Sequence, residues 1–412
     1  MKKNSKKLAK IIAPVALAAG CLGALPATSC GMHSSIKQIA PYLHEITFND
    51  YVYDSKFVTT KEAEGFGCSS VRNGNFYGRN FDYVFNDVPE FIVRVKADKK
   101  KKRHASIGVA THFGIHEDKL LKGEYKDQIN LIPNITLDGI NDAGLICSHN
   151  VVSIEPNKVG GMEYKPETNP DKEGAKQLHM LFVPRYILDN AATVDEAINL
   201  LTRDDINIMG NLNGEHNLHI MIADANRTCV VEFFHKKEST GHNHFDVVWE
   251  DKTENNQIMT NYYLNNGDNV NFTNEKKQGD ERYEILKAGY STSNSFDGMT
   301  NLMKQVKFSI AYSTSHTKDP MKKDDEPVLT AEWYSENIDQ SHLYPTFTPD
   351  PDFFEKLNKL KADYWQAIAL DKRVPAEPKF WQTTHNSTYD MEKKHLRVVV
   401  QEQYEVYFDY YL

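Results

Sequence analysis

Strand-like runs at both ends of the chain, with helical periodicity between them, predict an α+β fold of two sheets sandwiched between helical layers. Three observations carry that prediction. Strand-like runs recur from Cys68 to Val152; helical patterns occupy 176–190, 194–202, 281–288 and 297–307; strand-like runs return from Phe380 onward. The 412 residues suit one large domain or two ordinary ones, and no internal repeat or low-complexity tract divides them. A single domain over 68–412 is the expectation.

The first thirty residues stand apart. Lys2, Lys3, Lys6, Lys7 and Lys10 precede the apolar run Ile11–Ala19, and small residues follow, which is the pattern of an export signal over 1–30. The run is too short for a good membrane span. Cys21, after Leu17-Ala18-Ala19-Gly20, resembles a lipobox, and Cys30, after Ala27-Thr28-Ser29, is a second candidate for lipidation. The chain is therefore expected to be exported. It would be either secreted or attached to the cell envelope by an N-terminal lipid. Residues 31–67 read as a leader, or propeptide, of mixed polarity that ends in Gly65-Phe66-Gly67.

Beyond the leader, Cys68–Arg72 and Asn75–Asn80 form a hairpin around Asn73-Gly74, a strong turn signal. Ser106–Thr111, Ile129–Leu137 and Leu145–Val152 are the next strands, the last two joined by Asn141–Gly144. Residues 176–190 read as a helix interrupted at Pro184. The helix at 194–202 opens with a capping box of Thr193 and Glu196. Leu218–Ala223 and Cys229–Phe234 pair across Asp224–Arg227, and Gln257–Asn261 is a short strand. Residues 313–327 read as loop and 353–370 as an amphipathic helix. Phe380–Tyr389, a turn at Met391–Lys394, Leu396–Gln401 and Tyr404–Tyr410 close the chain in strands.

A net charge of −9, from 57 acidic and 48 basic residues, argues against a broad nucleic-acid-binding surface. The run Lys99–Arg103 reads as a solvated hairpin tip. The histidine pairs His112/His116, His216/His219 and His242/His244 match no metal signature such as His-Glu-x-x-His, and no cofactor is expected. After the signal, Cys68, Cys147 and Cys229 remain, an odd number that no disulfide framework accounts for. Cys147 and Cys229 lie in apolar strand-like runs and read as small buried hydrophobes, with a Cys147–Cys229 bridge as the alternative.

Cys68 has a different neighbourhood. A thiol that cleaves an amide must be ionised, although a free cysteine has a pKa near ~8.5. It also needs donors where the carbonyl oxygen gains charge. The hairpin folds Arg79 and Asp82 of Gly78-Arg79-Asn80-Phe81-Asp82-Tyr83 back toward Cys68. Arg79 would favour the thiolate, and Asp82 would anchor a cation. No histidine is close in sequence, which suggests another base: the α-amino group of Cys68, a group that ordinarily titrates at about 7.7–8.0. That group is free only if the Gly67–Cys68 bond is cut. Gly67 has no Cβ to hinder a thiol approaching its carbonyl.

These residues carry a resemblance. Gly-Cys-Ser-Ser at 67–70 followed by Gly-Arg-Asn-Phe-Asp-Tyr at 78–83 resembles the start of the mature chain in the linear amide C–N hydrolase (choloylglycine hydrolase) family. That family includes bile salt hydrolases and penicillin V acylases, and acid ceramidase-type amidases are similar. Asp138-Gly139-Ile140-Asn141-Asp142-Ala143-Gly144-Leu145, Leu218–Asp224 with Val230-Val231-Glu232, Met259-Thr260-Asn261 and Glu281-Arg282-Tyr283 continue the likeness in order. The resemblance implies an N-terminal-nucleophile (Ntn) hydrolase αββα four-layer sandwich. It implies that Cys68 is the nucleophile and, through its freed amine, the base. Arg79 and Asp82 would hold the thiolate and the ammonium. The Asn261 side chain and the backbone N–H of Asn150 would form the oxyanion hole, with His149 or Val151 as alternatives to Asn150. Arg282 would complete the polar network. His219 reads as a core or supporting residue.

The resemblance thus implies hydrolysis of a small-molecule N-acyl amide such as a conjugated bile salt, penicillin V or a fatty-acyl amide. Acyl transfer to an amine on the same fold is the rival reading, and a non-catalytic exported binding lipoprotein is the remote one. Loops at 84–92, 113–128 and 155–175 are expected to wall the pocket. Oligomeric state is left open, a homo-oligomer included.

Overall fold

The computed structural model describes residues 32–53, 67–84, 88–125, 127–153, 175–209, 216–233, 245–250, 256–264, 279–307, 309–311, 332–334, 380–400, 402 and 404–412. The stretches expected to be an export signal (1–30), a loop (313–327), an amphipathic helix (353–370) and a pocket wall (155–174), like the segment immediately before Gly67, lie outside the described residues.

In chain order the strands are β1 Lys37–Ala40, β2 Leu43–Phe48, β3 Gly67–Asn73, β4 Phe76–Val84, β5 Glu90–Val95, β6 Ser106–Thr111, β7 Thr136–Asn141, β8 Ile146–Ser153, β9 Lys176–His179, β10 Ile206–Met209, β11 His216–Ala223, β12 Thr228–Phe233, β13 Phe245–Trp249, β14 Asn256–Met259, β15 Ser309–Ala311, β16 Glu332–Tyr334, β17 Phe380–Asp390, β18 His395–Val400 and β19 Phe408–Tyr411. The helices are α1 Glu117–Leu120, α2 Val183–Asn190, α3 Val194–Leu201, α4 Asp280–Ala288 and α5 Phe296–Gln305. The first sheet runs β1-β2-β5-β6-β7-β8-β11-β12-β13. The second runs β14-β3-β4-β17-β15-β16, with β18 and β19 continuing from β17.

Alternation along the strands sorts the apolar side chains into layers. Ile92, Ile107, Val109, Ile140, Ile146, Met221 and Val230 of the first sheet meet Tyr77, Met259, Tyr389, Leu396 and Val398 of the second, and this is the inter-sheet core. On the outer face of the first sheet, Cys147, Ile220, Ile222, Cys229 and Val231 pack under Ile187 and Leu188 of α2 and Val194, Ala197 and Leu201 of α3. On the outer face of the second sheet, Val71 and Ile258 pack under Leu286 of α4 and Met299, Leu302 and Met303 of α5. Helix, sheet, sheet, helix is the αββα order.

Residues read as a leader supply an edge to this architecture. Strand β2 pairs parallel with β5, Leu43 opposite Glu90, and Leu43, Ile46 and Phe48 are fully buried. The basic run sits in the β5–β6 connection, where Asp98 bridges to Arg103 and the lysines between are exposed, as a hairpin tip requires.

Several expectations need correction. The β3–β4 turn is Gly74-Asn75 rather than Asn73-Gly74: Asn73 pairs with Phe76, and Gly74 takes φ 56° as the first residue of a two-residue turn. Most of the strand expected at Ile129–Leu137 is a 3-10 helix, Gln128–Ile135, because Pro133 has no N–H to give a ladder. Residues 176–179 form β9, and Pro184 starts α2 instead of interrupting it, since the first helical turn needs no N–H there. Strand β5 occupies the end of the loop expected at 84–92, and α1 lies inside the one expected at 113–128. Cys147 and Cys229 are free. Both pair opposite Ile222, on either side of β11, so about two strand spacings, roughly 10 Å, separate them. A disulfide cannot span that.

Candidate active site

The β3–β4 hairpin sets the geometry. Gly67 pairs with Asp82, Cys68 with Phe81 and Ser70 with Arg79. Alternation then turns Cys68, Ser70, Arg79 and Phe81 toward the first sheet, and Asn80 and Asp82 toward α4 and α5. Their partners agree: the Ser70 hydroxyl lies 3.2 Å from that of Ser148 on β8, and Asn80 Nδ2 donates to the Met303 carbonyl of α5 at 2.9 Å. Arg79 and Asp82 therefore reach Cys68 from opposite faces of the hairpin.

On the inner face, Arg79 Nη2 stands 4.0 Å from Cys68 Sγ and donates to the His149 carbonyl at 2.8 Å. Its Nη1 pairs with Asp138 Oδ2 at 3.1 Å. Burial pushes the Cys68 thiol up, while Arg79 and the Asp82 backbone N–H pull toward thiolate. Burial wins, so the thiol keeps its proton near neutral pH and a base is required. Among the described residues, no histidine is bonded to Sγ.

On the outer face, Arg282 of α4 is buried and ties the other groups together. Its Nη1 donates to the Cys68 carbonyl at 2.5 Å and to Ser69 Oγ at 3.0 Å, and faces Asp82 Oδ2 at 3.4 Å. Its Nη2 donates to Asn261 Oδ1 at 2.6 Å. Asp82 Oδ1 accepts from the Thr383 hydroxyl at 2.6 Å. Burial pushes the Asp82 carboxyl up to about 6, although Arg282 and Thr383 pull it down. Gly279, at φ 90° ahead of α4, makes room for this packing: a Cβ there would come within 2.9 Å of Thr260 Cβ and 3.0 Å of Arg282 Nη2.

Asn261 links the two chemistries. Its Oδ1 accepts from the Cys68 backbone N–H at 2.9 Å, and its Nδ2 donates to the Val151 carbonyl at 2.7 Å with a second hydrogen to spare. Asn150 braces the same loop through its side chain, Nδ2 donating to the Met259 and Thr260 carbonyls at 3.0 and 3.2 Å. His219, fully buried, bonds the Thr260 carbonyl at 2.8 Å. Cys68, Arg79, Asp82, Asn150, Asn261 and Arg282 thus converge on one region. Sequence patterns assign Asp138, His385, Glu90 and Thr383 no role, yet each bonds a member of that group or a neighbour of one.

A family model described as linear amide C-N hydrolases, choloylglycine hydrolase family (CBAH), matches residues 68–293, more than half of the chain and starting at Cys68. The chain belongs to that family. Members are hydrolases acting on carbon–nitrogen bonds other than peptide bonds in linear amides, and a small acyl amide is the matching kind of substrate. Among solved structures, a mutant conjugated bile acid hydrolase from Clostridium perfringens is 17% identical with a TM-score of 0.37, covering 84% of this chain and 92% of that one. A second variant of the same enzyme is 14% identical, with the same TM-score and coverage. The penicillin V acylase from Agrobacterium tumefaciens is 13% identical with a TM-score of 0.33, covering 81% of this chain and 83% of that one. No curated protein matches.

Proposed function

We propose that this choloylglycine hydrolase family member cleaves N-acyl amides through a Cys68 thioester, after its own thiol has opened the Gly67–Cys68 bond. One observation carries the reading: the backbone nitrogen of Cys68 is held by Asn261 Oδ1 beside Asp82 and Arg282, while the sulfur of the same residue faces Arg79. A buried thiol without a histidine needs a base, and the freed α-amine would be that base within its own residue.

In processing, Sγ adds to the Gly67 carbonyl, the acyl group shifts from nitrogen to sulfur, and water hydrolyses the thioester. The products are a Gly67 carboxylate and an α-amine on Cys68. In turnover, that amine takes the thiol proton and Sγ attacks the substrate carbonyl. The free hydrogen of Asn261 Nδ2 donates to the oxyanion. The α-ammonium, stabilised by Asp82 and Asn261 Oδ1, returns its proton to the departing amine. Water, deprotonated by the α-amine, then releases the acid.

Phe81 stacks on Tyr83 with centroids 5.5 Å apart, and Tyr83 meets Phe113 at 5.3 Å; with Leu137 they form an apolar wall beside Cys68. Such a wall suits a bulky apolar acyl group such as a bile acid, a phenoxyacetyl group or a fatty acid. Export in the first thirty residues fits an extracellular amide.

Intact mass and N-terminal sequencing of the purified protein test the chemistry. A new terminus at Cys68, absent in Cys68→Ala, is expected; a continuous and active chain would overturn it. Liberated-amine assays over the three substrate classes, with and without an added amine acceptor, separate hydrolysis from acyl transfer.

A further inference from the structure

Arg79 does not stand alone behind the sulfur. Four buried charged side chains follow one another across the gap between the sheets: Arg79 on β4, Asp138 on β7, His385 on β17 and Glu90 on β5. The cations come from the second sheet and the carboxylates from the first. Asp138 Oδ2 accepts from Arg79 Nη1 at 3.1 Å and from His385 Nε2 at 2.9 Å, while Asp138 Oδ1 accepts from the Tyr389 hydroxyl. His385 Nδ1 donates to Glu90 Oε1 at 2.8 Å, an oxygen that also accepts from Thr384 Oγ1 at 2.8 Å.

The backbone is shaped to make this chain. Thr383 pairs with Asp82 and His385 with Phe81, so Thr384 is an inserted bulge residue on β17. The bulge turns His385 onto the inner face, whereas Thr383 keeps to the outer one. A second irregularity on β7 lies between Thr136 and Asp138, next to the same cluster.

We propose that His385 is a positioning residue for the reaction. As an imidazolium clamped between Glu90 and Asp138, it neutralises Asp138 and leaves the charge of Arg79 to act on the Cys68 thiolate. This rests on the reading of Cys68 as nucleophile. The electrostatic logic is simple. Arg79 paired with an uncompensated Asp138 would present a neutral pair to the sulfur. Arg79, Asp138 and protonated His385 together carry one net positive charge, with the balancing Glu90 at the far end.

The surroundings support the charged form. His385 faces two carboxylates, Glu90 and Asp138, and the Phe81 ring at 5.4 Å, against one like charge, Arg79 Nη1 at 3.2 Å. Burial pushes its pKa down, but Glu90 and Asp138 outweigh it and lift the value to about 9. Asp138 is resisted by burial yet held down to about 2 by His385 and Arg79. His149 on β8, the other imidazole near Arg79, is pushed by burial and by Arg79 to about 3 and stays neutral.

The test is the pH dependence of Cys68 alkylation by iodoacetamide in the processed protein, read by peptide mass so that Cys147 and Cys229 do not intervene. His385→Gln should raise the apparent thiol pKa and slow alkylation at pH 7 by about tenfold, the equivalent of one pKa unit. Adding Asp138→Asn should restore the rate to within about threefold of the parent, because the uncompensated negative charge is gone. A purely structural role predicts that the double variant is worse than the single. That result, or an unshifted His385→Gln profile, overturns the proposal. The readout needs no substrate, so a chain that hydrolyses nothing through Cys68 defeats the proposed function while leaving this measurement decisive.

Discussion

Arg79 Nη2 lies 4.0 Å from Cys68 Sγ, and the thiol is nonetheless pushed above its ordinary pKa by burial. The guanidinium therefore offsets a penalty that the fold imposes and does not by itself create a standing thiolate. An opposite charge at this range shifts a pKa by about 1–3 units. Arg79→Gln should raise the thiol pKa by that amount and lower kcat/KM at pH 7 about 10–1000-fold. Arg79→Lys should recover part of the loss, since it keeps the charge but not both bonds to Asp138 and the His149 carbonyl. Alkylation rate against pH, measured beside turnover, checks this; equal profiles in all three proteins would remove Arg79 from the mechanism.

Asn261 carries more roles than an oxyanion donor, because Cys68 N–H, Arg282 and the Val151 carbonyl all depend on it. Asn261→Ala should lower kcat about 10²–10³-fold, the usual cost of one oxyanion donor. It should also slow processing, which uses the same carbonyl geometry. Asn261→Asp keeps Oδ1 for Cys68 and Arg282 but replaces the donor, so it should process more completely than the alanine variant while turning over as poorly. Pulse-chase mass spectrometry and steady-state kinetics distinguish the two.

That the residues of the candidate site converge was legible because they sit in short local patterns: a Cys followed by a two-residue turn and Arg-x-x-Asp, an Asn after a short strand, an Arg in the first turn of a helix. What stayed hidden was the pairing between sheets. Asp138 and His385 are far apart in sequence, and only strand order and two bulges bring them to one carboxylate–imidazole contact. A signal did exist in β17, where Thr383–Thr388 are polar throughout yet buried on both faces. Strands β1 and β2 were missed for a different reason: β1 has only four residues, and in β2 the apolar Leu43, Ile46 and Phe48 do not keep a strict period of two. Pro133 and Pro184 misled in opposite directions, one inside an expected strand and one at a helix start.

Gly108 holds Asp138 in place through backbone contact. A Cβ at Gly108 would stand 2.2 Å from the Asp138 carbonyl oxygen and 2.8 Å from Gly139 Cα, so β6 and β7 could not keep their spacing. Gly108→Ala should cost about 1–3 kcal/mol of stability, as overpacking does. By shifting β7 it should also loosen the hold on Arg79 and reduce kcat more than KM changes. Gly74→Ala is the control: it strains a φ of 56° but meets no atom within 4 Å and sits at the far end of the hairpin. Its melting temperature should fall while kcat is kept.

The N-terminal segment 32–53 should remain attached after the Gly67–Cys68 bond is cut. Strand β2 supplies the parallel neighbour of β5, and its loss would expose Phe91 and Val93, which share a core cluster with Ile46 and Phe48. The end of the segment is clasped as well. The hydroxyls of Tyr51 and Tyr53 both bond Asp189 Oδ2, the latter at 2.6 Å, and Asn134 Nδ2 donates to the Val52 carbonyl at 2.9 Å. Asp189 in turn pairs with buried Arg185 at 2.8 Å. A site-specific protease sequence placed within 54–66 would cut the chain whether or not it processes itself. Both fragments should then co-elute in gel filtration and separate only in denaturant. Asp189→Ala, which removes the carboxylate of Arg185 and leaves it only the Ser106 hydroxyl, should cost about 3–5 kcal/mol and loosen the segment. The paired change Tyr51→Phe with Tyr53→Phe should weaken retention without leaving a charge unpaired. Elution of the parent protein without its N-terminal fragment, with activity kept, would show the segment to be a dispensable leader after all.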